Sequence, residues 1–260
     1  MLNAATTATP TNFHTFVYPV PKAACKPTGW LTAQTYAYLE LHEPENVSRY
    51  RRCGHKNQCG IRVCERCQTI AALHRASELT ALNYAFQLAF PQHRKNVWSG
   101  TLKILDIPLT DLHTATETLY SASCKVLRQL HPTAAYQQFE ASASTKAPGL
   151  THPQVHIVLW DSTGSIRKSQ VRELWSRALR GSGLCPAPAL SWSKVKSIEY
   201  LDYISQPFPF PLNVDHSQWL KYVDALKGQK VRRLRMSPVF KKLQQLSVTV
   251  SLTAVKSKRD

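Results

Sequence analysis

The chain has 260 residues, 43% of them hydrophobic, which is enough for one good-sized core or a catalytic domain with a small appendage and too few for two full domains. Its 33 Lys and Arg against 16 Asp and Glu give a formal net charge of +17 and point to a polyanionic partner, nucleic acid foremost, because phosphate neutralisation consumes many cations. No uncharged apolar run reaches the roughly 18 residues of a membrane span, and the start MLNAATTATPTNFHTF lacks the basic region and apolar core of a secretory signal, so the expected compartment is the cytoplasm.

Residues 1–45 are rich in Ala, Thr and Pro without a sustained period and read as an irregular N-terminal arm. Residues 46–92 form a second unit, a cysteine cluster running into a helix. Four of the seven cysteines, Cys53, Cys59, Cys64 and Cys67, crowd into fifteen residues, a distribution that suits metal ligation better than a disulfide framework. Cys64 and Cys67 have the spacing of a chelating knuckle, and four soft ligands suit a structural Zn²⁺. His55 competes for a place in the set, as a neighbour or in the stead of Cys53 or Cys59. Arg51 and Arg52 flank the site as candidate DNA contacts. Leu79, Leu82, Phe86 and Phe90 then recur at helical spacing until Pro91, predicting a helix over 68–90.

Residues 93–260 carry the chemistry. A strand is predicted from Trp98 to Ile104, then a helix capped by Thr110 or Asp111 with Leu112, Ala115, Leu119, Val126 and Leu130 along one stripe. Strands follow around Tyr136 to Ser142 and from Gln154 to Trp160, with a turn at Asp161 to Gly164. Ser169 is placed to cap a helix that ends at Gly181. A short helix spans Ile198 to Gln206 and ends at the Pro-Phe-Pro-Phe-Pro run. Leu246, Val248, Val250 and Leu252 alternate with polar residues as in a half-buried strand. Strands interleaved with helices, too few for a doubly wound sheet, predict an α+β fold on one antiparallel sheet.

Two segments hold candidate site residues. In THPQVHIVLW the period of a strand puts His152, Gln154 and His156 on one face and Val155, Ile157 and Leu159 on the other, and Glu140 on the preceding strand can add a carboxylate to a divalent-ion site. The bland alternative is a pair of satisfied histidines in a polar loop. In SIEYLDYISQ, Glu199 and Tyr203 are four apart and Tyr200 and Tyr203 three apart, so a carboxylate and a phenol share a helix face. Tyr203 can attack a phosphate, with Tyr200 the alternative nucleophile, and Glu199 can serve as the base that resolves the resulting ester. Two tyrosines simply packed on the sheet are the alternative here.

Taken in order, these segments resemble the HUH endonucleases, specifically the rolling-circle replication initiators of small bacterial plasmids and related phages. The resemblance runs over roughly residues 50 to 245: the cysteine cluster and its helix, the strand Trp98-Ser-Gly-Thr-Leu-Lys-Ile, then Glu140, His152-Pro-Gln-Val-His156, Leu174-Trp175, Val195-Lys196 and Glu199-Tyr-Leu-Asp-Tyr203-Ile-Ser-Gln206, followed by Ala225-Leu-Lys-Gly228 and basic residues. It implies a ferredoxin-like nicking domain with a central antiparallel sheet behind a small N-terminal zinc module. It also implies a catalytic Mg²⁺ or Mn²⁺, a tyrosine that nicks single-stranded or cruciform origin DNA and keeps its 5′ end, host replication proteins as partners, and a bacterial cytoplasmic setting. Gln154 stands where the family usually has its middle histidine, and Gln206 where it usually has a lysine. Lys194 and Lys196 can supply the cation that Gln206 does not. A catalytically degenerate zinc-dependent DNA-binding protein and a transposase of the same chemistry are the other expectations.

Overall fold

Val155, Ile157 and Leu159 alternate with Gln154, His156 and Val158, which gives the central strand of a single sheet two distinct faces. The structure, a computed structural model, describes residues 29–53, 58–144, 147–188, 190–195, 199–205, 211, 214–229, 231–238 and 240–241; the side chains of 29–32, 199, 202 and 203 are outside that description. The strands are β1 (Val97–Lys103), β2 (Ile107–Pro108), β3 (Ala134–Ala143), β4 (Leu150–Trp160), β5 (Ser191–Lys194) and β6 (Arg232–Met236). The helices are α1 (Gly29–His42), α2 (Val47–Arg51), α3 (Glu65–Ala89), α4 (Leu112–Leu130), α5 (Lys168–Leu179), α6 (Glu199–Ile204) and α7 (His216–Ala225).

The sheet runs β5-β1-β4-β3-β6, with β2 paired to the start of β4, and every pairing is antiparallel. The α+β class and single antiparallel sheet expected from the sequence are therefore what the chain forms. Around the middle of the sheet the connection is β1-α4-β3-β4-α5-β5, so β4 lies between the two strands joined by α4.

Each face of the sheet is covered differently. Val155, Ile157 and Leu159 of β4 join Leu102, Ala135 and Phe139 under α4 and α5, whose Leu112, Leu119, Val126, Val171 and Trp175 complete one apolar layer. The stripe predicted for α4 is buried as a block, and each fully buried Leu, Ile or Val contributes about 1.5–3 kcal/mol. On the opposite face, Val97, Ala134, Tyr136, Val158 and Trp160 pack against Leu79, Leu82 and Phe86 of α3 and Leu201 and Ile204 of α6. That second layer covers only one end of its face. The other end carries the polar residues.

Several local expectations need correction. Residues 29–42, expected to be part of an irregular arm, form α1, because Thr35, Tyr38 and Leu39 recur at helical spacing and are buried against the cysteine module. Ser169 does not cap α5: the helix begins at Lys168 with Arg167 at the N-cap in extended backbone, so Ser169 lies within the first turn. The α4 start falls where expected, yet Asp111 makes no side-chain cap bond and instead accepts the Thr110 hydroxyl at 3.0 Å. Asp161 does organise its turn, with carboxylate oxygens accepting from the N–H groups of Thr163, Gly164 and Ile166. The strand expected over 246–253 lies outside the described residues, as do residues 1–28.

Candidate metal and phosphate-handling site

The four cysteines converge. Cys53 and Cys67 sulfurs are 3.4 Å apart, Cys59 and Cys67 3.5 Å, and Cys53 and Cys64 3.6 Å, with all four buried and within 4.8 Å of one another. A tetrahedral ion with bonds of about 2.3 Å spaces its four sulfurs by about 3.8 Å, so this set fits a Zn²⁺ after a small outward adjustment. The backbone supports that reading. The N–H groups of Ile61, Cys67 and Gly60 donate to the sulfurs of Cys59, Cys64 and Cys67, which turns the peptide dipoles toward developing thiolate charge. Burial pushes the Cys59 thiol up to about 11 and raises Cys64 as well. A bound cation offsets that burial, because thiolate is the ligating form. His55 lies outside the described residues.

Glu65 ties this module together. It is almost fully buried and accepts the Tyr50 hydroxyl at 2.7 Å, with Thr35 Oγ1 3.5 Å away, so one carboxylate links α1, α2 and α3. Burial, followed by the Glu65 hydrogen bond, raises the Tyr50 phenol well above its usual range. Arg49 and Arg66 donate to the carbonyls of Cys59 and Cys53 at 2.6 and 2.5 Å and close the loop around the sulfurs. Arg51 and Arg52 are exposed on the same module, Arg51 standing 5.9 Å over the Tyr36 ring.

The second site lies on the uncovered end of the sheet. Strand register places Thr101, His156, Gln138 and Arg232 in one row across β1, β4, β3 and β6, with Lys103, Gln154 and Glu140 in the next row on the same face. His156 is buried; its Nε2 is 2.5 Å from Glu140 Oε2 and its Nδ1 is 3.3 Å from Thr101 Oγ1. The His156 hydrogen bond, opposed by burial and helped by Gln154 and Lys103, holds the Glu140 carboxyl below its usual range. Thus His156, Glu140 and Gln154 come together as a nitrogen and oxygen donor set, the type that suits Mg²⁺ or Mn²⁺. Outside the four cysteines, no three His, Cys, Asp or Glu ligand atoms among the described residues cluster within 4.8 Å. An ion here would accordingly rest on His156, Glu140 and the Gln154 carbonyl.

His152 shares the face but turns to a different partner, with Nδ1 2.7 Å from Asp106 Oδ1 on the loop after β1. Neither Asp106 nor Thr101 was legible as a site residue. Thr101 left only a weak signal, the polar series Ser99, Thr101, Lys103 on one side of β1, and Asp106 left none.

The tyrosine helix packs on the same side of the sheet. Leu201 and Ile204 of α6 belong to the buried cluster of Val158, Trp160 and Tyr136, whose side chains share the His156 face by strand alternation, and Tyr200 packs at its margin. Glu199 and Tyr203 lie in this helix, with side chains outside the description. Lys194, at the end of β5, is exposed 5.2 Å over the Trp98 ring; Lys196 and Gln206 lie outside the described residues.

No protein-family model matches this chain, and neither the curated proteins nor the solved structures give a match. No helix among the described residues is long and apolar enough to cross a membrane.

Proposed function

We propose that this protein is a metal-dependent nickase of single-stranded DNA, of the HUH type, acting as a rolling-circle replication initiator, with Zn²⁺ holding its cysteine module. The observation that carries the reading is the shared sheet face: α6 lies over the side of β4 and β3 that presents His156, Gln154 and Glu140. The β-α-β-β-α-β connectivity, with its sheet order, supports a ferredoxin-like nicking domain.

In this reading the Tyr203 phenol oxygen attacks the scissile phosphorus and gives up its proton. The phosphorus–tyrosine bond forms as the bond to the 3′ oxygen breaks, leaving a 3′ hydroxyl and a 5′ phosphotyrosine. Glu199 then acts as the base for the hydroxyl that resolves this ester. His156, Glu140 and Gln154 are the residues that would hold a Mg²⁺ or Mn²⁺, and such an ion would supply positive charge to the phosphate during the attack. Thr101 orients His156 through the other ring nitrogen, as an outer partner does for a metal-binding imidazole.

The test is incubation of the zinc-loaded protein with Mn²⁺ and a labelled pool of random-sequence single-stranded oligonucleotides. A denaturation-resistant protein–DNA adduct is expected from wild type and from Tyr200→Phe, and none from Tyr203→Phe or His156→Ala. Absence of adduct in wild type, or an undiminished yield in Tyr203→Phe, overturns the assignment. A second reading, a zinc-dependent DNA-binding protein without nicking, is favoured by Gln154 standing as an amide in the donor set; it predicts salt-sensitive binding, no adduct, and no effect of His156→Ala.

A further inference from the structure

Three arginines from three separate elements gather at the margin of the polar sheet end. Arg62 comes from the loop between Cys59 and Cys64, Arg75 from α3 and Arg232 from β6. Arg232 is fixed to the sheet by its Nε, which donates to Gln138 Oε1 at 3.2 Å, and Gln138 also accepts the Tyr136 hydroxyl at 3.0 Å. Arg75 donates through Nη2 to the carbonyl of Ser205, the residue after α6, at 3.4 Å. This leaves Arg75 Nε and Arg62 Nη2 buried and without a hydrogen-bond partner. No salt bridge joins either side chain to a carboxylate among the described residues.

The charges feel one another. Burial, followed by the charges of the neighbouring Arg75 and Arg62, lowers the Arg232 guanidinium to about 10, and burial also lowers Arg62 and Arg75. Cations brought together in this way, with buried N–H groups unmet, are poorly matched to the protein around them and well matched to an anion with several acceptor oxygens. A phosphate fits that description, since a guanidinium fork can hold two of its oxygens.

We propose that Arg62, Arg75 and Arg232 form a binding site for a phosphate group of the nucleic-acid backbone, in the His156 row through Arg232 and tied through Arg75 to the end of the tyrosine helix. The inference deepens the nickase reading and rests on it only for the strand being DNA at this face. Arg75 and Arg232 would set the register of the strand, leaving an adjacent phosphodiester over the His156 row.

The test measures binding and not cleavage, with zinc-loaded protein and no added Mg²⁺ or Mn²⁺. Fluorescence anisotropy of a labelled single-stranded oligonucleotide is followed between about 50 and about 200 mM salt for wild type, Arg75→Met, Arg232→Met and Arg172→Met. Arg172 is exposed on α5 over the opposite face and controls for loss of one charge. Arg75→Met and Arg232→Met are expected to lose roughly ten-fold or more in affinity and to flatten the salt slope by about one, while Arg172→Met stays near wild type. Thermal shift with inorganic phosphate forms the second arm. Stabilisation of wild type that Arg232→Met loses shows that the free ion suffices; an effect confined to the oligonucleotide shows that the strand is required, and either supports the site. Folded Arg75→Met and Arg232→Met proteins that match Arg172→Met in affinity, slope and phosphate response overturn it. Adduct formation is not read here, so the site can hold while the tyrosine chemistry fails, and the reverse.

Discussion

His156 Nε2 and Glu140 Oε2 lie 2.5 Å apart across the β4–β3 pair, at a diagonal of the ladder where Gln138 faces His156 and Glu140 faces Gln154. A mostly buried imidazole is thereby matched to a carboxylate that is itself hydrogen-bonded by Gln154.

Replacing Glu140 by Gln removes the charged partner and keeps the shape. At pH 7, without added Mg²⁺ or Mn²⁺, urea unfolding of Glu140→Gln is expected to show a loss of about 1 kcal/mol, the low end for a charge-assisted bond because the carboxylate is partly open to water. The sign of the pH dependence follows from the carboxyl being held below its ordinary value. Its contribution is fully present above the unfolded carboxyl range, near pH 4.3, and is lost as pH falls through the lowered folded value. The stability gap between wild type and Glu140→Gln should therefore close in acid. An equal gap at neutral and acid pH would mean that the ionised Glu140 carboxylate is not its source.

Removing the metal should cost more than any single side chain. The cysteine cluster shares its apolar surroundings with Tyr38, Leu39, Tyr50 and Trp219, so loss of the ion exposes the join between the module and the sheet domain. Elemental analysis is expected to find one zinc per chain in wild type and little in Cys64→Ser. If only about 4 kcal/mol of binding free energy is lost, the melting temperature of a chain this long falls by roughly 10 °C. Wild-type protein purified free of zinc, with an unchanged melting temperature after chelation, would remove the structural-zinc reading.

Alkali probes the same module. Burial, aided by Glu43, raises the Tyr38 phenol to about 12, and Tyr38 donates its hydroxyl to Glu43 at 3.2 Å. A raised folded value means that the neutral phenol stabilises the fold fully below pH 10 and that this stabilisation disappears as pH climbs toward 12. Tyr38→Phe should lose stability at pH 8 and show a shallower decline above pH 10 than wild type. Parallel curves for the two proteins over that range would show that Tyr38 does not govern the alkaline limb.

How much of this was legible in the sequence depends on the range of the interaction. The α4 stripe, the His156 strand and the C-x-x-C knuckle were readable because period and spacing are local properties. Helix α1 was not, since among its described side chains only Thr35, Tyr38 and Leu39 are buried, set among Ala, a partly buried Tyr36 and an exposed Leu41, and their burial is created by the cysteine module. Strands β5 and β6 were missed for a related reason. Ser191–Lys194 and Arg232–Met236 are short edge strands whose polar composition says little until β1 and β3 supply partners. The partners of the site residues, Thr101, Asp106 and Arg232, come from positions 46 to 94 residues away in the chain, and no local pattern marks them.

Gly100 illustrates such a distant constraint and yields a further prediction. In β1 it faces Trp192 of β5, and a Cβ there would come to 2.4 Å from Trp192 Cε3 and 3.0 Å from the Ser191 carbonyl oxygen. The indole has little room to retreat, because it is stacked on Trp98 with ring centroids 5.9 Å apart and planes inclined by 16°. Alanine at 100 therefore pushes β5 outward. That strand leads toward α6, and Val195 N–H still bonds the Val97 carbonyl at 2.8 Å just before the helix, so the displacement is transmitted to the segment carrying Tyr200 and Tyr203. Gly100→Ala is expected to lose about 1–3 kcal/mol in urea unfolding, to weaken the near-ultraviolet dichroism of the stacked indoles, and to lower adduct yield in protein that remains folded. In a Trp192→Ala background the ring clash is gone while the Ser191 carbonyl contact remains, so the same substitution should cost less without becoming neutral. An identical cost in both backgrounds would show that the indole is not what excludes a side chain at position 100.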